Sequence, residues 1–240
     1  MNPSPAPPQF KTLSIIIPCY NEKETIEHVI ESVMAVPIKL VRELIIVDDC
    51  SKDGTREILK ELKPPAGASL HVLMHDRNQG KGAAIRTGLE HVTGDLVLVQ
   101  DADLEYDPED WTKLLAPILR GKARVVYGSR FTGERRNMLF LHWIGNRFLS
   151  FVTNALYNTT LSDMETCYKL VDRRVFDHVT LRADRFDFEP ELTARILRLG
   201  IRIYEVPISY AGREFDEGKK ITWRDGFAAL ATLVRCRFRS

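Results

Sequence analysis

The stretch LVLVQDADLEYDPE, residues 96–109, decides the fold. It opens on a continuously apolar run, Leu96 to Val99, which reads as a strand buried on both faces. The chain then leaves the sheet at Gln100 and turns acidic at once. Residues i and i+2 of an extended chain point the same way, so Asp101 and Asp103 can present two carboxylates to one point. Pro108 stands where a first helical turn would begin, and residues 111–119 continue that helix.

The same rhythm runs through the first half of the chain. Residues 13–17 (LSIII) form an apolar strand that ends at Pro18, followed by a helix over 24–36. Residues 44–47 (LIIV) form a second strand ending in Asp48 and Asp49. Asp53-Gly54 marks a turn into a helix over 55–62. A third strand covers 70–74, a helix 80–91, and a fifth strand 124–127. Buried strands alternating with helices predict an α/β fold with a mostly parallel central sheet flanked by helices. Ligands of such sheets bind outside the carboxyl ends of the strands. Here those ends carry Tyr20, Asn21 and Glu22, then Asp48 and Asp49, then Asp76, then Asp101 and Asp103. After about Gly128 the rhythm changes to helices over 139–157 and 189–199 and short strands over 167–170 and 201–206. No linker or repeat divides the chain, so residues 11–240 are expected to form a single domain. The proline-rich residues 1–10 are expected to be a disordered tail.

The bulk numbers exclude more than they select. The chain has 240 residues, 44% hydrophobic and 28% charged, which suits a soluble globular domain. A net charge of +1 gives no global field for nucleic acid. Four scattered cysteines show no zinc spacing and read as reduced thiols of a cytoplasmic protein. The first residues have no apolar signal-peptide core. No run reaches the roughly 18 apolar residues of a spanning helix. The richest apolar stretch, 138–157, is interrupted by His142, Gly145, Asn146, Arg147 and Asn154, the pattern of an interfacial helix.

Close carboxylates repel, and a hard divalent cation relieves that repulsion. Asp101 and Asp103 are therefore expected to hold Mg2+ or Mn2+, with a diphosphate completing the coordination and leaving against the metal. The competing reading is a solvated acidic turn. In IIIPCYNEKETI, residues 15–26, Pro18, Tyr20 and Glu22 could stack on and hydrogen-bond a base. The same segment also reads as a helix entry, with Asn21 as N-cap and Glu24 in the first turn. Asp48 and Asp49 could bond a ribose or base. Gly80, Lys81 and Gly82 precede a helix and could approach phosphate, although they match neither a Walker A loop nor a dinucleotide fingerprint. Arg130, Asp163, Glu165, Arg213, Lys219 and Lys220 are ligand candidates or plain surface charges. The histidines show no metal spacing and are assigned no catalytic role.

Six segments in this order, IIIPCYNE, LIIVDDCSKDGT, NQGKGAAIRTGLE, VLVQDADLEYDPED, VYGSRF and DMETCYK, resemble the family 2 glycosyltransferases of GT-A fold. Within them the chain is most similar to the polyprenyl-phosphate (dolichyl-phosphate) mannose and glucose synthases, from about residue 13 to 221. The resemblance implies an inverting, single-displacement transfer of a hexose from a nucleotide diphosphate sugar of the UDP-glucose or GDP-mannose type. It puts the nucleotide pocket on Pro18, Tyr20, Glu22, Asp49, Asp101 and Asp76 or Lys81. It puts the metal motif on Asp101 and Asp103, with Glu105 where mannose synthases often carry Gln. Arg130 matches the acceptor-phosphate arginine. Arg147 and Ser150 are the nearest candidates for two further phosphate ligands, His142 is a stand-in, and Arg213 with Lys219 or Lys220 matches a late basic element. Residues 11–128 would then be the nucleotide-sugar half and 129–240 the acceptor half.

Some such synthases carry hydrophobic C-terminal membrane segments, whereas this sequence ends in an amphipathic run. A lipid phosphate acceptor is therefore expected to be met by peripheral docking at the cytoplasmic face of a membrane, through Leu139, Phe140, Trp143, Phe148, Phe151 and the C-terminal arginines. A phosphate acceptor is already anionic and needs no strong base, whereas a hydroxyl acceptor would need one, with Asp163 or Glu165 as candidates. The rivals are a transferase acting on such a hydroxyl, a phosphohydrolase with Asp101 as nucleophile, and a non-catalytic nucleotide-sugar binder.

Overall fold

A computed structural model describes residues 9–212 and 223–239. Arg213, Lys219 and Lys220 lie outside the described residues, as does most of the expected N-terminal tail. The chain forms a single α/β domain on a seven-stranded sheet: β1 (Thr12–Cys19), β2 (Val41–Asp48), β3 (Ala68–Met74), β4 (Leu96–Val99), β5 (Val125–Ser129), β6 (Lys169–Asp172) and β7 (Tyr204–Pro207). The strand order is β3-β2-β1-β4-β6-β5-β7. All pairings are parallel except those of β6, which runs antiparallel to both β4 and β5.

The apolar runs form strands because they are covered on both faces. Ile15, Ile16, Ile17, Leu44, Ile45, Ile46 and Val47 are all fully buried. Helices α1 (Ile26–Ala35), α2 (Thr55–Glu61), α3 (Lys81–Leu89) and α4 (Trp111–Leu119) supply the cover. In α1 the buried positions are Ile26, Val29, Ile30 and Val33, the spacing of one helical face. Gly88 of α3 sits where a Cβ would lie 2.6 Å from Ile16, so this glycine sets how closely the helix meets the sheet. The expected cap at Asn21 is corrected: α1 begins after Thr25, and Asn21 has a positive φ of 55°. Its side chain instead accepts from the Lys52 N–H at 2.8 Å, tying the β1 loop to the β2 loop.

Two features of this topology build the site. β1 lies between β2 and β4, so the chain crosses in opposite directions on either side of it. That switch point opens a crevice at the carboxyl ends of β1 and β4. The antiparallel β6 then carries the preceding loop, residues 158–168, to the same edge. Tyr168 donates to Gln100 at 2.7 Å, and Cys167 lies 3.7 Å from the Val99 carbonyl.

Three helices, α5 (Phe140–Tyr157), α6 (Phe188–Arg198) and α7 (Trp223–Phe238), pack beside the crevice. They share a small core of Leu149, Met164, Ala194, Ala229, Leu233 and Cys236. Tyr157 donates to the Leu233 carbonyl, and Arg198 donates to the carbonyls of Cys236 and Arg239, each at 2.7 Å. A cation on the last carbonyls of a helix also favours its dipole.

Candidate active site

A cavity of about 950 Å³ occupies the crevice. Its wall takes Pro18, Tyr20 and Glu22 from the end of β1, Asp49 from the end of β2, and Asp101, Asp103 and Glu105 from the end of β4. Lys81, Arg130, His142 and Glu165 complete the set of residues expected from sequence.

The acidic motif is folded differently from the extended chain expected. Residues after Asp101 turn: Leu104 takes a φ of 60°, and Asp103 accepts the Glu105 N–H at 3.2 Å. Both carboxylates nevertheless remain on the cavity wall. Asp101 receives the Lys81 ammonium at 2.8 and 3.1 Å, and the same ammonium lies 3.0 Å from Glu189. Burial works against the charge on Lys81, but Asp101 and Glu189 outweigh it and hold the ammonium protonated well above its ordinary range. Glu105 is engaged by the Tyr210 hydroxyl at 2.8 Å. Among the described residues no three acidic, His or Cys side chains converge into a closed metal cage. Hard carboxylate oxygens on an open wall, one already drawing a cation, fit Mg2+ or Mn2+ that takes its other ligands from a diphosphate and water.

Asp49 is placed at the cavity, but its carboxylate is spent on the protein. It accepts the N–H groups of Gln79 and Gly80 at 2.8 and 2.7 Å and binds His75 Nδ1 at 2.8 Å. His75, given no role from sequence, is buried and also meets Thr87 at 2.9 Å, so it braces the loop before α3. Gly80 and Gly82 serve close packing: an added Cβ would lie 2.4 and 2.5 Å from the carbonyls of Asp184 and Ala183. Ala83 N–H donates to Asp184 O at 3.0 Å, so one N–H at the start of α3 is taken up by the protein. Asp76 is exposed and off the wall, which Asn78 lines in its place.

On the acceptor side Asp163 and Arg130 form one unit. Asp163 is fully buried and takes the Arg130 Nε and Nη2 at 2.7 and 2.8 Å and its backbone N–H at 3.0 Å. Burial opposes the guanidinium charge, and Asp163 more than restores it, so Arg130 stays charged well above its usual pKa. Arg130 also lies over the Tyr210 ring at 5.2 Å. Arg147 and Ser150, the two further phosphate-ligand candidates, do not join Arg130 on the wall. Arg147 is exposed and off the wall, stacked 5.5 Å from Phe131 and donating to Ser162 O at 3.4 Å. Ser150 is buried in α5 and accepts the Met164 N–H at 3.1 Å, which makes it a brace for the 158–168 loop. Asp163, one of the two base candidates, is absent from the wall among the described residues, and only Glu165 reaches it. Burial, then the neighbouring Glu189 carboxylate, push Glu165 up to about 8.

Sequence reading missed Glu189, Arg185 and Phe186, which also line the cavity. Glu189 lies in the first turn of α6, where an acidic residue reads simply as favouring the helix dipole. Its approach to Lys81 is set by tertiary packing and has no local signal.

Comparison with known proteins agrees with this geometry. The profile of "Glycosyl transferase family 2" matches residues 14–180. Glycosyltransferase AglJ of Haloferax volcanii is 33% identical over 208 residues, 86% of this chain and 65% of that protein. Undecaprenyl-phosphate 4-deoxy-4-formamido-L-arabinose transferase of Klebsiella pneumoniae is 28% identical over 214 residues, 88% of this chain. The chain thus spans less than two thirds of either relative, 63% of the second. Among solved structures, glucosyl-3-phosphoglycerate synthase of Mycobacterium tuberculosis, crystallised with Mn2+, UDP and glucosyl-3-phosphoglycerate, superposes with a TM-score of 0.72 at 23% identity, covering 94% of this chain and 80% of that one. The same enzyme with Mg2+ and UDP gives 0.70, again at 23% identity, over 94% and 79% of the two chains. The architecture is the GT-A fold, and from the profile match, the curated relatives and the acidic motif at the end of β4 it follows that this chain belongs to glycosyl transferase family 2.

Proposed function

We propose that this chain is a metal-assisted, inverting glycosyltransferase that moves a hexose from a nucleoside diphosphate sugar to a polyprenyl phosphate. One observation supports the reading: Asp101 and Asp103 share a cavity with Arg130, so carboxylates suited to a cation and a guanidinium suited to an anion line a single space. A divalent cation, when bound, would neutralise charge on the departing nucleoside diphosphate. Asp101 and Asp103 would hold it, and Lys81 adds a fixed positive charge beside them. Solved structures of the same fold containing Mn2+ or Mg2+ with UDP support this assignment.

In the proposed step an acceptor phosphate oxygen forms the new bond to the sugar C1. The C1–O bond to the diphosphate breaks, and its electron pair leaves on the diphosphate oxygen. No proton need be removed from the acceptor, because a phosphate monoester is dianionic above about pH 6. Two facts favour an acceptor that brings its own charge. Asp163 is wholly committed to Arg130, and Glu165 is mostly protonated near pH 7. Asp163 also fixes the guanidinium in place before the acceptor arrives, the preorganisation that makes such charges effective.

A long apolar tail on the acceptor is supported by the cavity rim. Met138, Leu141 and Leu149 line it, Leu141 is 77% exposed, and α5 also exposes Phe140 at 71% and Phe151 at 68%. Phe227 and Phe238 add exposed rings from α7. No helix among the described residues is long and apolar enough to cross a membrane, so this rim would rest on the bilayer surface. The Klebsiella relative, named as an undecaprenyl-phosphate 4-deoxy-4-formamido-L-arabinose transferase, points the same way.

The test is transfer of label from UDP-glucose or GDP-mannose, with Mn2+, into organic-soluble product in the presence of a polyprenyl phosphate. Label appearing only on water-soluble hydroxyl acceptors, with a rate rising through pH 8 and lost in Glu165→Gln, would instead establish the hydroxyl-acceptor chemistry.

A further inference from the structure

One side chain touches both a member of the acidic motif and the arginine of the acceptor side. Tyr210 follows β7, is buried and lines the cavity. Its hydroxyl donates to Glu105 Oε2 at 2.8 Å, and the Arg130 guanidinium lies over its ring, 5.2 Å from the ring centre. Glu105 comes from the segment after β4 and Arg130 from the end of β5, so a residue from a third strand joins the two. Sequence reading gave Tyr210 no role.

The backbone around Tyr210 fixes where its side chain stands. Its N–H donates to the Glu134 carbonyl at 3.0 Å, and its own carbonyl accepts the Arg136 N–H at 2.9 Å. Ala211, the next residue, donates its N–H to the Glu105 carbonyl at 2.9 Å. Ser209, the residue before, gives both its N–H and its hydroxyl to the buried Asp110 carboxylate at 2.6 Å. Tyr106 packs edge-on against the Tyr210 ring at 5.2 Å. Burial, then the Glu105 charge, push the Tyr210 hydroxyl above its usual range, so it stays protonated and donates.

Each half of the side chain acts on a different partner. A hydrogen bond to one carboxylate oxygen fixes how that group turns, and such supports are worth about tenfold to a hundredfold in metal affinity where the carboxylate is a ligand. The ring does something else. Asp163 grips Arg130 along one edge, through Nε and Nη2. An aromatic face within about 6 Å attracts the cation from the side and restrains it out of the plane of that grip. We propose that Tyr210 is a positioning residue with two separable duties: its hydroxyl sets Glu105 for the divalent cation, and its ring sets Arg130 for the acceptor phosphate. The inference rests on the function proposed above and deepens it.

Tyr210→Phe and Tyr210→Leu take the two duties apart on the whole chain. Mn2+ uptake with UDP or GDP is read by paramagnetic resonance without acceptor. The acceptor KM is read with a polyprenyl phosphate at saturating Mn2+ and donor. Tyr210→Phe keeps the ring, so it should weaken Mn2+ uptake about tenfold and leave the acceptor KM at its wild-type value. Tyr210→Leu should weaken uptake by the same factor and also raise the acceptor KM about fivefold. In a Glu105→Ala background, Tyr210→Phe should change uptake by less than about twofold, because the hydroxyl has lost the group through which it acts. Unchanged uptake in Tyr210→Phe, or a full loss in the Glu105→Ala background, would overturn the duty of the hydroxyl. Equal acceptor KM in Tyr210→Phe and Tyr210→Leu would overturn that of the ring. A tyrosine that only anchors its own segment would move both readouts together in both variants, in step with the melting temperature, and that result would overturn the whole inference. If wild type takes up no Mn2+ with either nucleotide, or transfers nothing to polyprenyl phosphate, the proposed function itself falls and takes this inference with it, an outcome distinct from the others.

Discussion

The donor edge and the acceptor side of the cavity are built by opposite means. At the donor edge each polar residue follows its own strand within a few positions: Tyr20 and Glu22 after β1, Asp49 after β2, Asp101 and Asp103 after β4. Local sequence therefore fixes what stands there. On the acceptor side the working groups meet only through long-range packing. Arg130 depends on Asp163, 33 residues away, and Glu189 reaches Lys81 across the whole second half of the fold. The first arrangement resists error because the sheet itself positions the residues. The second is a set of coupled charges in which removing one member disturbs the others.

That difference predicts a graded series. The largest loss should come at the donor edge. Asp103→Ala should lower transfer by about a hundredfold to a thousandfold, the scale of removing one preorganised electrostatic contact. Its circular dichroism should stay near wild type, which separates a loss of transfer from a loss of fold.

Next comes the buried pair. Asp163→Ala leaves the Arg130 guanidinium enclosed and unpaired, which costs about 3–5 kcal/mol of stability. In a domain of this size that lowers Tm by roughly 6–20 °C. The double replacement Arg130→Met with Asp163→Leu should recover most of that loss in a thermal melt while transfer stays abolished. Recovery of activity as well would remove Arg130 from the site.

Glu165→Gln should act mainly through pH. The folded chain holds the Glu165 proton up to about 8, whereas the unfolded chain releases it near 4.5. Between those values the folded state binds more protons, so stability present at low pH is lost as pH rises through about 8. Gln carries no such slope. The melting temperature of Glu165→Gln relative to wild type should thus rise steadily from pH 5 to 8 and level off beyond. A constant difference across that range would show that Glu165 is not held protonated.

The smallest effects should fall on Ser150 and Arg147, which do not line the cavity. Ser150→Ala should cost about 1 kcal/mol by orphaning the Met164 N–H, and Arg147→Ala should stay within about 0.5 kcal/mol. Neither should change the acceptor KM, measured with the lipid phosphate.

What the sequence disclosed follows the same division. The strands, the helices and the crevice were legible because apolar runs of strand length and helical spacing are local signals. The acidic pair was legible as chemistry, although its backbone turns at Leu104 where an extended segment was expected. Asp49 was legible as important but not as spent: only the folded loop shows Gln79, Gly80 and His75 converging on it. The strand at β6 was expected over 167–170, but its antiparallel direction has no signature in the apolar pattern, and that direction brings the loop bearing Glu165 beside β4. Ser150 and Arg147 were candidates only through the family resemblance, which does not say which face of α5 meets the cavity.

Manganese binding is the most direct measurement of the central claim. Paramagnetic resonance of free Mn2+, titrated with the chain and either UDP or GDP, reports uptake of the ion into a ternary complex. The expected result is strong uptake only when the matching nucleotide is present, abolished by Asp101→Ala and by Asp103→Ala. Tight nucleotide binding that is indifferent to Mn2+, and equal in wild type and both variants, would contradict it.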